Sequence, residues 1–142
     1  MRTETFGMGR RVLVVEDEAF VREVLVEVLA SEGFEVTEAA SGDEAAGLMD
    51  RPGRFDILLT DVHMPGRLDG LTVAAHARAR QPDLPIVVMT GRPECNLGVS
   101  GLQPRCALVV TPYGLSAILN AISAVSAKPL LSSSEFEWDV AG

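Results

Sequence analysis

Cations are scarce in this chain, and lysine is all but missing. Of 142 residues, 12 are basic against 20 acidic, for a net charge of −8, and Lys128 is the single lysine. A face that grips a phosphate backbone needs clustered positive charge, so nucleic acid is not an expected direct partner. Long apolar runs are missing as well. No stretch approaches the roughly 20 residues that cross a bilayer, so no membrane association is expected. The opening segment, Met1 to Arg10, has no apolar core of a secretory signal, which makes the cytoplasm the expected compartment. Cysteine is limited to Cys95 and Cys106, outside any metal-ligand spacing. Both are expected to be reduced thiols that serve as small buried apolar residues. Internal repeats are absent.

What is present is enough apolar residue for one core, 47% of the chain, in a length that fits one domain. Val12-Leu13-Val14-Val15 is a β-branched run stopped by Glu16-Asp17-Glu18, the pattern of a strand buried on both faces. Phe20, Val21, Val24, Leu25, Val28 and Leu29 then recur at helical spacing up to Gly33, a helix stop. A short strand is expected over 34–38. Ser41 followed by Glu44 forms a capping box for a helix to about Asp50, and Pro52-Gly53 breaks the chain. A buried strand over 55–60 reaches Asp61; a turn-rich loop, 63–70, leads to a helix over about 71–80. Ile86 to Met89 is a fourth strand ending at Thr90-Gly91. Asn96, Gly98 and Gly101 predict a short or irregular helix in 92–103. A fifth strand, 107–110, precedes a last helix over 113–125 with Leu115, Ile118, Leu119 and Ile122 on one face.

Five βα units in succession require parallel pairing with right-handed crossovers, hence an α/β doubly wound sheet. Such sheets carry their sites at the carboxyl ends of the strands. Glu16 and Asp17 end the first strand, Asp61 the third, Thr90 the fourth and Thr111 the fifth. Three carboxylates brought together repel unless a cation neutralises them. An all-oxygen donor set favours a hard ion such as Mg²⁺. In that setting Asp61 is a candidate nucleophile for a phosphoryl group, with Thr90 and the Gly91 amide as donors to its oxygens. Taken singly, each acid reads more readily as a solvated loop residue or helix cap, and it is their conjunction on the correct strand ends that points to a site.

Taken together, these motifs resemble the receiver domain of two-component response regulators, over about 11–125. The segments that carry the resemblance are 12–18, 55–61, Met64-Pro65-Gly66 with Asp69-Gly70, and 86–91. The resemblance implies a flavodoxin-like (βα)5 fold of five parallel strands in the order 2-1-3-4-5. It implies Asp61 as phosphoacceptor, and Mg²⁺ (or Mn²⁺) held by Glu16, Asp17, Asp61 and the backbone carbonyl of His63. Thr90 becomes the switch hydroxyl. A bacterial sensor histidine kinase or phosphotransfer protein supplies the phosphoryl group, and the partner downstream is an unknown protein. Self-association as a homodimer is compatible with it. The implied output face is that of the fourth and fifth strands and the helices after them, with 92–103 as its moving part.

The sequence departs from that family at the fifth strand. Where the family carries a lysine before proline and an aromatic, this chain has Thr111-Pro112-Tyr113. Lys128-Pro129 follows a helix and does not supply the missing residue. Thr111 offers one donor and no charge, so slower phosphorylation or weaker switching is expected, with Arg92 an auxiliary candidate cation. Leu108 stands where the family's switch aromatic belongs. The loop after Asp61 is one residue longer than the commonest pattern, and the side chains of His63 and His76 are expected at the surface.

The expected organisation is an N-terminal extension (1–10), a receiver domain (11–126) and a flexible C-terminal tail (127–142), in which Phe136 and Trp138 alternate with acids. The leading reading is a single-domain response regulator, a signalling protein rather than an enzyme, acting through protein–protein contacts. A pseudo-receiver that works without phosphorylation is the alternative. An aspartate-nucleophile phosphatase fits poorly, because His63 occupies the position of its general acid.

Overall fold

Successive residues of a strand point to opposite faces, and here both faces meet a core. Val12 and Val14 of β1 (Arg11–Val15) pack in one cluster, while Leu13 and Val15 pack in another. The same division runs through β3 (Ile57–Asp61) and β4 (Ile86–Thr90). It explains why these strands read as unbroken apolar runs. The computed structural model describes residues 9–62, 69–90, 105–110 and 115–126. The readings made for the loop at 63–68, for 92–103 and for the tail from 127 lie outside these residues.

With β2 (Glu35–Ala39) and β5 (Cys106–Val110), the strands form one sheet in the order β2-β1-β3-β4-β5, every pair parallel. Helices α1 (Ala19–Ser31) and α4 (Leu115–Ser126) contribute to the cluster with Val12 and Val14. Helices α2 (Gly42–Met49) and α3 (Gly70–Arg80) contribute to the other. This is the doubly wound, flavodoxin-like arrangement expected from the sequence.

Local signals set the boundaries. The N–H of Phe34 donates to Leu29 O (3.1 Å) and that of Gly33 to Ala30 O (3.0 Å). Gly33 has φ +96°. This is a Schellman stop, which needs a residue tolerant of the left-handed region. At α2 half of the capping box forms as expected, Ser41 Oγ accepting from Glu44 N (3.1 Å), while Glu44 Oε1 accepts from the amide one residue ahead of the cap, Ala40 N (2.8 Å). β3 begins two residues later than the apolar pattern suggests. Phe55 is buried ahead of the strand, under the Arg11 guanidinium at 4.9 Å, and Asp56 Oδ2 accepts from Arg11 N at 2.7 Å.

The apolar positions of α1 split more sharply than their spacing suggested. Leu25 and Leu29 are buried, and Val21 pads the same cluster, whereas Phe20 is 74% and Val24 43% exposed. At about 100° per residue, positions 20 and 24 fall on the flank of the arc that 21, 25, 28 and 29 define.

Arginines are sorted along the strand axis. In a parallel α/β sheet the helices run back against the strands, so helix ends gather where strands begin. Arg10 and Arg11, Arg51, Arg54, Arg78 and Arg80, and Arg105 all stand at that amino end. Arg78 is the most committed of them, donating to the carbonyls of Pro82 (3.0 Å), Leu84 (2.6 Å) and Arg105 (3.0 Å). Beside it Cys106 is buried, and burial pushes its thiol up to about 11, the behaviour of a small core residue rather than a reactive thiol. Arg22 is the one described arginine at the opposite end.

Candidate functional site at the carboxyl ends of the strands

Strand register brings the candidate acids together. β1 and β3 are neighbours, with Val15 opposite Thr60. Glu16 and Asp17 therefore leave β1 beside Asp61, the last residue of β3. One carboxylate oxygen from each of Glu16, Asp17 and Asp61 lies within 4.8 Å of the other two. Glu16 is 4% exposed. Its carboxyl is pushed up to about 7, chiefly by burial and further by the charges of Asp61 and Asp17, against a lowering hydrogen bond from the Glu18 amide. An oxygen-only set of three acids, one of them costly to ionise where it stands, fits a hard divalent cation.

The surrounding backbone is pinned. The N–H of Glu16 donates to Ala39 O of β2 (3.1 Å), and Glu16 Oε2 accepts from Glu18 N (3.1 Å). That carboxylate thus caps α1, whose N-cap Glu18 makes no side-chain cap of its own. On the β3 side, Val62 N donates to Met89 O (2.9 Å) and Gly70 N to Val62 O (2.9 Å). Thr60, fully buried, donates from Oγ1 to Asp61 O at 3.1 Å. Asp69 Oδ1 accepts from Thr72 N at 2.9 Å and caps α3.

Thr90 ends β4, fully buried and paired in register with Val110. Asp61 pairs with Met89, so Thr90 stands one step beyond Asp61 on the adjacent strand. Leu108 faces the α2–α3 side, opposite Val88, and is partly buried against that core. His63, Gly91, Arg92 and Thr111 lie outside the described residues.

Sequence reasoning missed Arg22, Glu38, Thr60 and Gly70 as supports of this site. Arg22 carried a usable signal, as the one cation within reach of three acids in the first turns of a helix. Gly70 carried another, a glycine at the start of a helix that follows the third strand. Thr60 and Glu38 read only as ordinary strand residues.

Among the described residues no helix is long and apolar enough to cross a membrane. Residues 12–122 match the family described as the response regulator receiver domain. The response regulator MprA of Mycobacterium ulcerans (strain Agy99) is 37% identical over 137 residues, 94% of this chain and 57% of that protein. The chain thus spans little more than half the length of the curated relatives it matches. Among solved structures, the receiver protein from Sinorhizobium medicae WSM419 superposes with a TM-score of 0.76 at 26% identity, covering 83% of this chain and 94% of that one. The response regulator TrrA from Thermotoga maritima, in complex with Mg(2+)-BeF, gives 0.71 at 29% identity, covering 82% and 98%. Receiver domains are signalling domains, and response regulators in general work with histidine kinases or phosphotransfer proteins. With fold, strand-end acids and sequence in agreement, the chain belongs to the response regulator receiver domain family of two-component systems.

Proposed function

We propose that this receiver domain accepts a phosphoryl group on Asp61 and signals through protein contacts. The observation that carries the reading is the convergence of the Glu16, Asp17 and Asp61 carboxylates within 4.8 Å at the ends of adjacent strands. Glu16, Asp17 and Asp61, with the backbone carbonyl of His63, are the residues to hold Mg²⁺ or Mn²⁺. The bound cation supplies charge neutralisation, so that an anionic donor can approach. An Asp61 carboxylate oxygen attacks phosphorus and forms an acyl phosphate. The bond from phosphorus to the donor breaks, and its electron pair leaves with the donor group. Thr90, the Gly91 amide and Thr111 donate hydrogen bonds to the phosphoryl oxygens, with Arg92 an auxiliary cation. The donor is a sensor histidine kinase or a phosphotransfer protein.

Intact mass after incubation with acetyl phosphate and Mg²⁺, beside an Asp61→Asn control, tests this reading. The expected result is a gain of one phosphoryl group that needs both Asp61 and the metal. One observation favours a second reading. Leu108, half-buried where the family's switch aromatic belongs, has no ring to rotate toward Thr90, which suits a module that acts by association alone. Retained Mg²⁺ binding with no mass gain selects that alternative.

A further inference from the structure

Arg22 holds the turn that carries two of the three acids. It sits at the start of α1, and its guanidinium is engaged in two directions. Nη1 donates to the carbonyl of Glu16 at 2.8 Å, and Nε donates to Glu38 Oε1 of β2 at 3.1 Å. Its own amide donates to Glu18 O at 2.9 Å. One residue therefore grips both ends of the 16–18 turn. The Arg22 side chain is 18% exposed and that of Glu38 52%. The arginine is thus largely sheltered, while its ion pair with Glu38 is solvated on the glutamate side and worth about 0–1 kcal/mol, so the brace is the weaker of the two contacts.

The position of that carbonyl matters. Glu16 O belongs to the peptide plane that joins Glu16 to Asp17. Fixing the plane fixes ψ of the first residue and φ of the second, and with them the direction in which each side chain leaves the backbone. The other groups of Glu16 are tied as well, its amide to Ala39 O and its carboxylate to the Glu18 amide. Without the guanidinium, the peptide between two consecutive acids is held on one side only. Repulsion among Glu16, Asp17 and Asp61 then favours turning a carboxylate outward.

We propose that Arg22, braced by Glu38, is a positioning residue of the metal pocket, holding the Glu16–Asp17 peptide so that both carboxylates converge on Asp61. The inference rests on the metal-binding role proposed above. A hydrogen bond behind the ligand orients it without touching the ion, and losing such a partner typically weakens metal binding roughly 10- to 100-fold.

The test is direct titration of Mg²⁺ by calorimetry on the full chain, with no phosphodonor, beside a urea unfolding curve for each variant. Arg22→Met is expected to bind Mg²⁺ about tenfold more weakly while still folding. Arg22→Lys is expected to recover part of the loss, since an ammonium reaches the carbonyl but does not span both partners. Glu38→Ala removes the brace alone and is expected to weaken binding by a smaller factor, which covers the case in which Arg22→Met does not fold. Wild-type affinity in Glu38→Ala and in any folded Arg22→Met overturns the proposal. A wild-type chain that binds no Mg²⁺ overturns the metal reading and this one with it, whereas binding by wild type and Arg22→Met alike overturns this one alone.

Discussion

Replacing Gly70 with alanine is expected to damage both the fold and the site, although the usual effect of this exchange in a helix is favourable. Alanine gains roughly 1 kcal/mol over glycine in a helix interior, so the sign is decided by space. A side-chain carbon on Gly70 would stand 1.8 Å from the carbonyl oxygen of Asp61, 2.6 Å from its carbonyl carbon and 2.7 Å from the Cα of Val62. These are backbone atoms, and no rotamer change relieves the clash. Non-bonded atoms settle at about 3.5–4 Å, so the start of α3 must withdraw from β3 by more than about 1 Å. Overpacking of this kind costs about 1–3 kcal/mol. The bond from Gly70 N to Val62 O, 2.9 Å long, is lost as well, at about 1 kcal/mol. Set against the alanine gain, the net loss is about 1–3 kcal/mol, or roughly 5–10 °C in Tm for a domain of this size. Because the displaced backbone carries Asp61, a shift of this size also slows phosphoryl transfer by about 100-fold. Urea unfolding with a parallel acetyl phosphate assay reads both effects. A variant within about 0.5 kcal/mol of wild type, phosphorylated at the wild-type rate, refutes the close-approach argument.

Other tests address separate parts of the molecule. The Glu16 carboxyl is raised from 4.5 to about 7 in the folded chain, so metal-free stability is full below the lower value and is lost as pH rises through the higher one. The loss is about 3 kcal/mol. Unfolding curves in EDTA at about pH 5 and about pH 8 should show it. Glu16→Gln should flatten the profile, and Mg²⁺ should restore stability at the alkaline end; a flat wild-type profile counts against the buried acid. Ser41→Ala removes the oxygen that accepts from Glu44 N at 3.1 Å and should cost about 1 kcal/mol in urea unfolding without altering Mg²⁺ affinity. Thr111→Lys restores a cation at the end of the fifth strand and should speed phosphorylation by acetyl phosphate about tenfold, the scale of one charge-assisted hydrogen bond. An unchanged rate removes Thr111 from the phosphoryl-binding set.

The sheet was legible because buried parallel strands need unbroken apolar runs, and Val12–Val15 and Ile86–Met89 could be little else. Chain punctuation was equally plain: Gly33 stops α1 and the Ser41 cap starts α2 where the residue types require. Convergence of Glu16, Asp17 and Asp61 followed from the rule that parallel strands deliver their carboxyl ends to one rim. What escaped was whatever depends on backbone acceptors. Arg22 could be suspected as the one cation beside the acids, but the Glu16 carbonyl that it holds has no sequence signature. The contact of Gly70 with Asp61 exists only once α3 is laid against β3. Phe20 and Val24 matched the helical period yet sit outside the core, because the period fixes an arc and not its width.

Among the described residues, the arginines gathered at the amino ends of the strands, set against Glu16, Asp17 and Asp61 at the other rim, leave the carboxyl rim the more negative end of the sheet. A body so charged is turned by a charged neighbour before any contact is made. A basic protein surface meets the carboxyl rim first and is drawn to it, whereas a small anionic phosphodonor is turned away from the same rim. Dissolved ions shorten the reach of both effects to about 8 Å at physiological ionic strength. Added salt should therefore slow encounters with a basic partner and quicken those with a small anion. The ratio of the two rates, followed against ionic strength, measures how far the shape of the field, apart from any contact, selects the visitors that reach Asp61.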